Sequence, residues 1–138
     1  MDGELRKVIM LIEDDSNLVG LLRECLQVAG FSVLAYYSVE EALRVLRKRR
    51  PDLIILDIGM PGMNGLTFLK IMRTEVPKHI PTLVHSATAD PDAIIEDENV
   101  DAFVPKGVNP SILITVIKQL LSTAASDTTT SVQPIPIS

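Results

Sequence analysis

Short apolar runs alternate with amphipathic stretches along this chain, which indicates strands alternating with helices. The runs that predict strands lie at 7–12, 31–36, 53–56, 82–85 and 102–104. Apolar positions at helical spacing predict helices over 17–29, 39–49, 66–76, 90–99 and 111–121. The 90–99 segment has an unfavourable pattern, because acidic residues late in a helix oppose its macrodipole.

This alternation predicts an α/β fold with a parallel sheet, helices on both faces and right-handed crossovers. The usual five-stranded doubly wound order is 2-1-3-4-5, which places the first and third strands side by side. We expect residues 1–121 to form this one domain. From 122 to 138 the chain turns to Ser, Thr and Pro with a single charge, which we interpret as a disordered tail or linker.

Composition narrows the classes of protein that fit. The single cysteine, Cys25, excludes a disulfide framework and falls at an apolar helix position, where burial is expected. The net charge of −5 argues against a nucleic-acid surface. No segment resembles a signal peptide or is long enough to cross a membrane. We therefore expect a soluble, cytoplasmic protein.

The third apolar run ends on a carboxylate at the mouth of a turn-rich loop. Asp57 directly follows Leu56, and Gly, Pro and Asn residues dominate the segment 59–65. This pattern places Asp57 at the carboxyl edge of the sheet, where open α/β folds bind ligands. Taken alone, Asp57 fits a solvated strand end or a helix cap better than a functional site.

Other strand ends bring further acidic groups to the same edge. Glu13 and Asp14 follow the first strand, so the predicted strand order makes them converge with Asp57. Three carboxylates would repel one another unless a cation neutralised them. Oxygen ligands with retained waters suit Mg²⁺, and the backbone carbonyl of Gly59 offers a further neutral oxygen.

A lysine and a hydroxyl complete the cluster. Lys106 leaves the fifth strand and Ser86 leaves the fourth strand at this edge. A cation, an ammonium group, a hydroxyl and loop amides around one carboxylate form a pocket for a phosphoryl group. The chemistry indicated is phosphoryl transfer onto Asp57, with Mg²⁺ and Lys106 stabilising the transferring oxygens.

Several motifs together resemble the receiver domain of bacterial two-component response regulators over about residues 6–121. They are Glu13-Asp14, Asp57 with Met60-Pro61-Gly62-Met63-Asn64-Gly65, Ser86-Ala87, Phe103 and Lys106. The resemblance implies a flavodoxin-like (βα)5 fold. It also implies a signalling switch, not an enzyme, that accepts a phosphoryl group from a sensor histidine kinase or a phosphotransfer protein and changes its affinity for an unidentified output partner.

The resemblance also implies a role for each residue. Asp57 is the expected phosphoacceptor, and Asp14 and Asp57 are the expected direct Mg²⁺ ligands. Glu13 would act on the metal through water. Lys106 and Ser86 would contact the phosphoryl oxygens. Phe103 stands at the switch position and would turn inward together with Ser86.

The chain departs from the family pattern after its lysine. Gly107 stands where receivers usually have a proline that follows a cis bond. A cis bond before a residue other than proline costs about 2.5–4 kcal/mol, so we expect a trans bond here. The acidic, poorly patterned fourth helix is expected to be irregular. Gly59 has no side chain to shield an acyl phosphate from water.

Three other functions compete with this interpretation. A pseudo-receiver would keep the fold as an interaction module without phosphorylation, although the intact acidic cluster and Lys106 argue against it. A Mg²⁺-dependent phosphatase with Asp57 as nucleophile would need a second acid where Gly59 stands. A flavin-binding protein would need a Ser/Thr-rich phosphate loop after the first strand, and this chain has none.

Nearby polar residues have simpler interpretations. His85 precedes Ser86, but a lone histidine at a strand end is most often packed or solvated. His79 lies in a turn with no partner visible in the sequence. Asp15 or Ser16 can cap the first helix, and for Asp15 a cap is a simpler interpretation than a metal ligand.

Overall fold

The computed structural model describes residues 6–62, 64–76, 79–87 and 90–125. Strands and helices alternate strictly along this part of the chain. The strands are β1 (Val8–Ile12), β2 (Ser32–Tyr36), β3 (Leu53–Leu56), β4 (Thr82–Ser86) and β5 (Ala102–Pro105). The helices are α1 (Ser16–Val28), α2 (Val39–Leu46), α3 (Gly65–Glu75), α4 (Pro91–Ile95) and α5 (Pro110–Ala125).

All strands are parallel and lie in the order β2-β1-β3-β4-β5. The predicted fold class and strand order are therefore confirmed. Ile12, the last residue of β1, is in register with Leu56, the last residue of β3. The residues that follow these two strands consequently emerge side by side at one edge of the sheet.

The sheet has an apolar core on each face because side chains alternate along each strand. In β1, Ile9 and Leu11 pack on the face that α1 and α5 cover. Met10 and Ile12 pack on the opposite face, against α2 and α3. Because both faces are covered, the central strands β1 and β3 are aliphatic without polar alternation.

Each helix begins at a side chain that accepts hydrogen bonds from the first backbone amides, which otherwise have no partner. Asp15 caps α1 by accepting from the amides of Asn17 and Leu18, as the sequence predicted. The other capping residues are Ser38, Asn64, Asp90 and Asn109. These caps fix where each chain segment turns from the sheet edge into its helix.

Three helices differ from the prediction by more than one residue at an end. α2 ends at Leu46 instead of 49, and the four basic residues that follow it, 47–50, are exposed. α4 covers Pro91–Ile95 instead of 90–99, because its acidic C-terminal half opposes the helix dipole. α5 continues to Ala125, four residues into the predicted tail, and the remainder of that tail, 126–138, lies outside the described residues.

A polar cluster anchors the edge opposite the candidate site. Arg73 of α3 donates to the carbonyls of Ile80 and Asn99 at 3.2 and 2.9 Å. His79 Nε2 lies 3.0 Å from a carboxylate oxygen of Asp101, a partner that was not visible in the sequence. These contacts tie the end of α3 to the starts of β4 and β5.

The side chain of Cys25 and the lengths of the helices bear on two further expectations. Cys25 is half-buried, not fully buried as predicted, because it lies at the margin of the face that α1 packs on the sheet. Within the described ranges, no helix combines the length and the apolar character needed to cross a bilayer.

Candidate functional site

The site lies at the carboxyl edge of the sheet, where β1 and β3 end side by side. The amide of Asp57 donates to the carbonyl of Ile12 at 3.0 Å, which fixes Asp57 beside Glu13. Glu13 and Asp57 are 1% and 6% exposed. Two acidic side chains are therefore withdrawn from water next to each other, an arrangement that needs compensating donors or cations.

Asp57 receives three hydrogen bonds that divide between its two carboxylate oxygens. The hydroxyl of Ser86 donates to Oδ1 at 2.7 Å, and the amide of Gly59 donates to the same atom at 2.8 Å. The ammonium of Lys106 donates to Oδ2 at 2.8 Å. The carboxylate is thus held by donors from the end of β4 and from the loops that follow β3 and β5.

Lys106 also pairs with the second buried carboxylate. Its Nζ lies 3.0 and 3.2 Å from the two carboxylate oxygens of Glu13. The amide of Lys106 donates to the carbonyl of Ser86 at 3.2 Å, which places the lysine at the end of the β4–β5 ladder. The bond from Lys106 to Gly107 is trans, as expected, and Gly107 has a φ of +95°.

These contacts set the charge state of the site. Burial tends to raise the pKa of Asp57, but hydrogen bonds from Lys106, Gly59 and Ser86 outweigh it and lower the pKa below the usual value. Burial raises the pKa of Glu13 more than its hydrogen bonds lower it. Burial would lower the pKa of Lys106, yet its two carboxylate partners raise it, so this side chain stays protonated.

The acidic residues form a group that could hold a metal ion. One carboxylate oxygen each from Glu13, Asp14 and Asp57 lie within 4.8 Å of one another. Asp14 is exposed, whereas the other two are buried. Carboxylate oxygens that are open to solvent on one side fit a divalent cation that keeps part of its water shell, as Mg²⁺ does.

Gly65 fixes the path of the loop that follows Asp57. A Cβ at Gly65 would lie 2.9–3.2 Å from atoms of Ile58, closer than side chains tolerate. α3 can therefore begin directly against the residue after Asp57 only because this position is glycine. The loop that carries the Gly59 amide is held in place by this contact.

Phe103 is buried and faces the side of the sheet that α4 covers. It is 3% exposed and packs in a cluster with Val84 and Ile94. Ile58, next to Asp57, packs at the margin of the same cluster. The aromatic ring thus lies inward in this structure while Ser86 is hydrogen-bonded to Asp57.

The structure brings Asp57, Glu13, Asp14, Ser86 and Lys106 together, and it places Phe103 in the separate apolar cluster with Val84 and Ile94. The sequence indicated loop amides near the carboxylate, and Gly59 supplies one through its N–H. Whether the Gly59 carbonyl also ligates a metal stays a prediction.

Sequence reasoning missed two contacts in this region. The direct pair between Lys106 and Glu13 was not foreseen, although two buried carboxylates facing one lysine could have suggested it. His85 is 4% exposed, and its Nδ1 lies 2.8 Å from the carbonyl oxygen of Val104. Of the two interpretations that the sequence left open for His85, packed or solvated, the structure shows the packed one, and its partner had no signal in the sequence.

Comparisons with known proteins agree with this fold. The family model of the response regulator receiver domain matches residues 9–118. The chain belongs to this family. Receiver domains are signalling modules, not enzymes in the usual sense, and they generally bind Mg²⁺ at an acidic pocket.

Curated relatives are longer than this chain. It is 29% identical over 119 residues to the DNA-binding transcriptional regulator NtrC of Escherichia coli, which covers 85% of this chain and 25% of NtrC. It is also 29% identical to the DNA-binding response regulator MtrA of Mycobacterium leprae, of which it covers 52%. The chain thus spans between a quarter and about half of these relatives.

Solved structures of similar proteins have the same fold. The chemotaxis response regulator CheY4 of Vibrio cholerae has a TM-score of 0.77 and 26% identity, and the match covers 84% of this chain and 99% of CheY4. A receiver domain of a signal transduction histidine kinase from Syntrophus aciditrophicus has a TM-score of 0.77 and 28% identity, covering 92% and 97% of the two chains.

Proposed function

We propose that this chain is a phosphorylation-dependent switch in which Asp57 accepts a phosphoryl group from the phosphohistidine of a histidine kinase or phosphotransfer protein. One observation carries the proposal: Lys106 Nζ and Ser86 Oγ both lie within 2.8 Å of the Asp57 carboxylate, beside an acidic cluster suited to Mg²⁺. We place the protein in the cytoplasm, where such kinases present their phosphohistidine.

In the proposed reaction a carboxylate oxygen of Asp57 attacks the phosphorus of the donor. The new bond joins this oxygen to phosphorus, the P–N bond of the phosphohistidine breaks, and the imidazole leaves with the bonding electron pair. Lys106 and Ser86 already touch the carboxylate, so their donors are within reach of phosphoryl oxygens attached to it. Gly59 leaves the approach to Asp57 uncrowded by a side chain.

The acidic residues have a supporting role in this reaction. Asp14 and Asp57 would hold Mg²⁺ directly, and Glu13 would orient its water ligands, with the Gly59 carbonyl as a further oxygen. When bound, Mg²⁺ supplies charge neutralisation for the phosphoryl oxygens. The lowered pKa of Asp57 keeps its carboxylate ionised, which is the form that can attack phosphorus.

The output of the switch would pass through the fourth strand. A phosphoryl group on Asp57 changes the acceptor that the Ser86 hydroxyl contacts. Val84, two residues before Ser86 on the same face of β4, packs in a cluster with Phe103 and Ile94. α4 carries Ile94 and is only five residues long. We expect this short helix, in which Ile94 is the buried residue, to shift its packing and with it the affinity for a partner.

Incubation of the purified protein with acetyl phosphate and Mg²⁺ tests the proposal. We expect the mass of one phosphoryl group to be added, and the adduct to be labile to hydroxylamine as an acyl phosphate is. Absence of the adduct, under conditions in which a known receiver is phosphorylated, would leave the pseudo-receiver as the better description.

Asp14→Asn tests the assignment of the metal ligands. We expect the dissociation constant for Mg²⁺, measured by isothermal titration calorimetry, to rise about tenfold, because the loss of one unit charge beside a solvated divalent ion costs on the order of 1–2 kcal/mol. Asp15→Asn is the matched control, since asparagine also caps a helix and Asp15 is not part of the acidic group. Equal losses in the two variants would contradict the assignment.

A further inference from the structure

His85 is a buried polar side chain whose contact lies beside the proposed site. It precedes Ser86 in β4 and is 4% exposed. Side chains alternate along a strand, so His85 shares a face with Leu83, which packs in the core that α1 and α5 cover. A polar ring in an aliphatic layer is costly unless it makes a hydrogen bond.

The ring of His85 makes a hydrogen bond to the neighbouring strand. His85 Nδ1 lies 2.8 Å from the carbonyl oxygen of Val104, its register partner in β5. Because a carbonyl only accepts, Nδ1 carries the proton and donates. Val104 stands two residues before Lys106, so the ring joins the strand that carries Ser86 to the strand that carries the lysine.

The ring is neutral in this environment. Burial lowers the pKa of His85, and the charge of Lys106 lowers it further, against the hydrogen bond to Val104 and the charge of Asp57. A neutral ring adds no positive charge beside the ammonium of Lys106. The contact therefore fixes geometry without competing for the carboxylates.

Two contacts restrain the backbone just before Lys106. The amide of Lys106 donates to the carbonyl of Ser86, and the ring of His85 holds the carbonyl of Val104. Gly107, with a φ of +95°, turns the chain directly after the lysine, and Val108 packs against the core that α1 and α5 cover. The two contacts before the lysine therefore hold the end of β5 against β4, where the direction of the Lys106 side chain is set.

We propose that His85 is a positioning residue that locks the carboxyl end of β5 against β4 and thereby directs Lys106 onto Asp57. The inference rests on the proposed function, because it assigns His85 a part in the same phosphoryl transfer. His85 acts through Lys106 and touches neither the donor nor the phosphoryl group.

The test compares His85→Leu, which removes the donor, with His85→Asn, whose amide nitrogen can replace Nδ1. We expect His85→Leu to slow phosphorylation by acetyl phosphate about tenfold, since small misplacements of a catalytic group have effects of this size or larger. His85→Asn should recover most of the rate. If His85→Leu does not fold, His85→Ser, whose hydroxyl is too short to reach Val104, takes its place.

A double-mutant cycle separates positioning from general destabilisation. In a Lys106→Met background, His85→Leu should leave the residual phosphorylation rate unchanged, because the group that it positions is gone. An equal slowing with and without Lys106 would overturn the proposal.

The nitrogen signal of the Lys106 ammonium, observed by NMR in labelled protein, provides a readout that needs no phosphorylation. We expect it to shift in His85→Leu and to return in His85→Asn. If the wild-type protein takes no phosphoryl group, the proposed function fails, while this signal still decides the role of His85. An unchanged signal in His85→Leu would refute that role.

Discussion

Asp57→Asn is expected to abolish acyl phosphate formation, with a loss of about a thousandfold or more, because the amide is not a nucleophile. The side chain remains the same size, and its amide oxygen can still accept from Ser86 and Gly59. The loss would therefore report on chemistry and not on a collapsed site. The measurement is the intact mass after incubation with acetyl phosphate and Mg²⁺.

Asp52→Asn is the control for this experiment. Asp52 directly precedes β3, whereas Asp57 directly follows it. The carboxylate of Asp52 therefore lies at the opposite edge of the sheet, where it accepts a hydrogen bond from the amide of Val8 at 2.7 Å. We expect Asp52→Asn to be phosphorylated like the wild type. A phosphoryl adduct that persists in Asp57→Asn would move the acceptor to another residue and refute the proposed function.

The fold was predictable because strand and helix patterns are local. Runs such as Leu53–Leu56 are too short and too uniformly aliphatic for an amphipathic helix, and their alternation with helices leaves few topologies. Once the strand order was fixed, the convergence of Glu13 and Asp57 followed, since both leave adjacent parallel strands at the same edge. The proximity of these site residues was thus a consequence of topology.

The details of pairing were not predictable, because they depend on side-chain conformations and on register between distant segments. His79 and Asp101 are 22 residues apart and meet only once β4 and β5 are aligned. The bond from His85 to Val104 depends on the same alignment. Helix ends were also missed, because a helix can continue or stop within a few residues at small cost in free energy.

Lys106→Met is expected to change stability, metal affinity and reactivity in different directions. Lys106 is one-quarter exposed, whereas Glu13 and Asp57 are nearly fully buried. Removing the lysine leaves two buried carboxylates facing each other without a cation. We therefore expect the free energy of unfolding without metal to fall by about 3 kcal/mol, as when one partner of a buried ion pair is lost.

The same change should strengthen Mg²⁺ binding, because one positive charge that repels the metal is removed. An approximately tenfold lower dissociation constant is expected, which is about 1.4 kcal/mol. Saturating Mg²⁺ should therefore restore part of the lost stability through preferential binding to the folded state. Phosphorylation should nevertheless be slower than in the wild type, since no ammonium contacts the phosphoryl oxygens.

We would measure these effects by thermal and urea unfolding with and without Mg²⁺ and by calorimetric titration of the metal. Lys118→Met is the control, because Lys118 lies exposed on α5. The control should keep wild-type stability and metal affinity. Unchanged metal-free stability in Lys106→Met would mean that its two ion pairs contribute little. If Lys106→Met bound Mg²⁺ more weakly than the wild type, Lys106 would support the metal site instead of opposing the cation. Removing a charge that only repels the metal cannot weaken its binding.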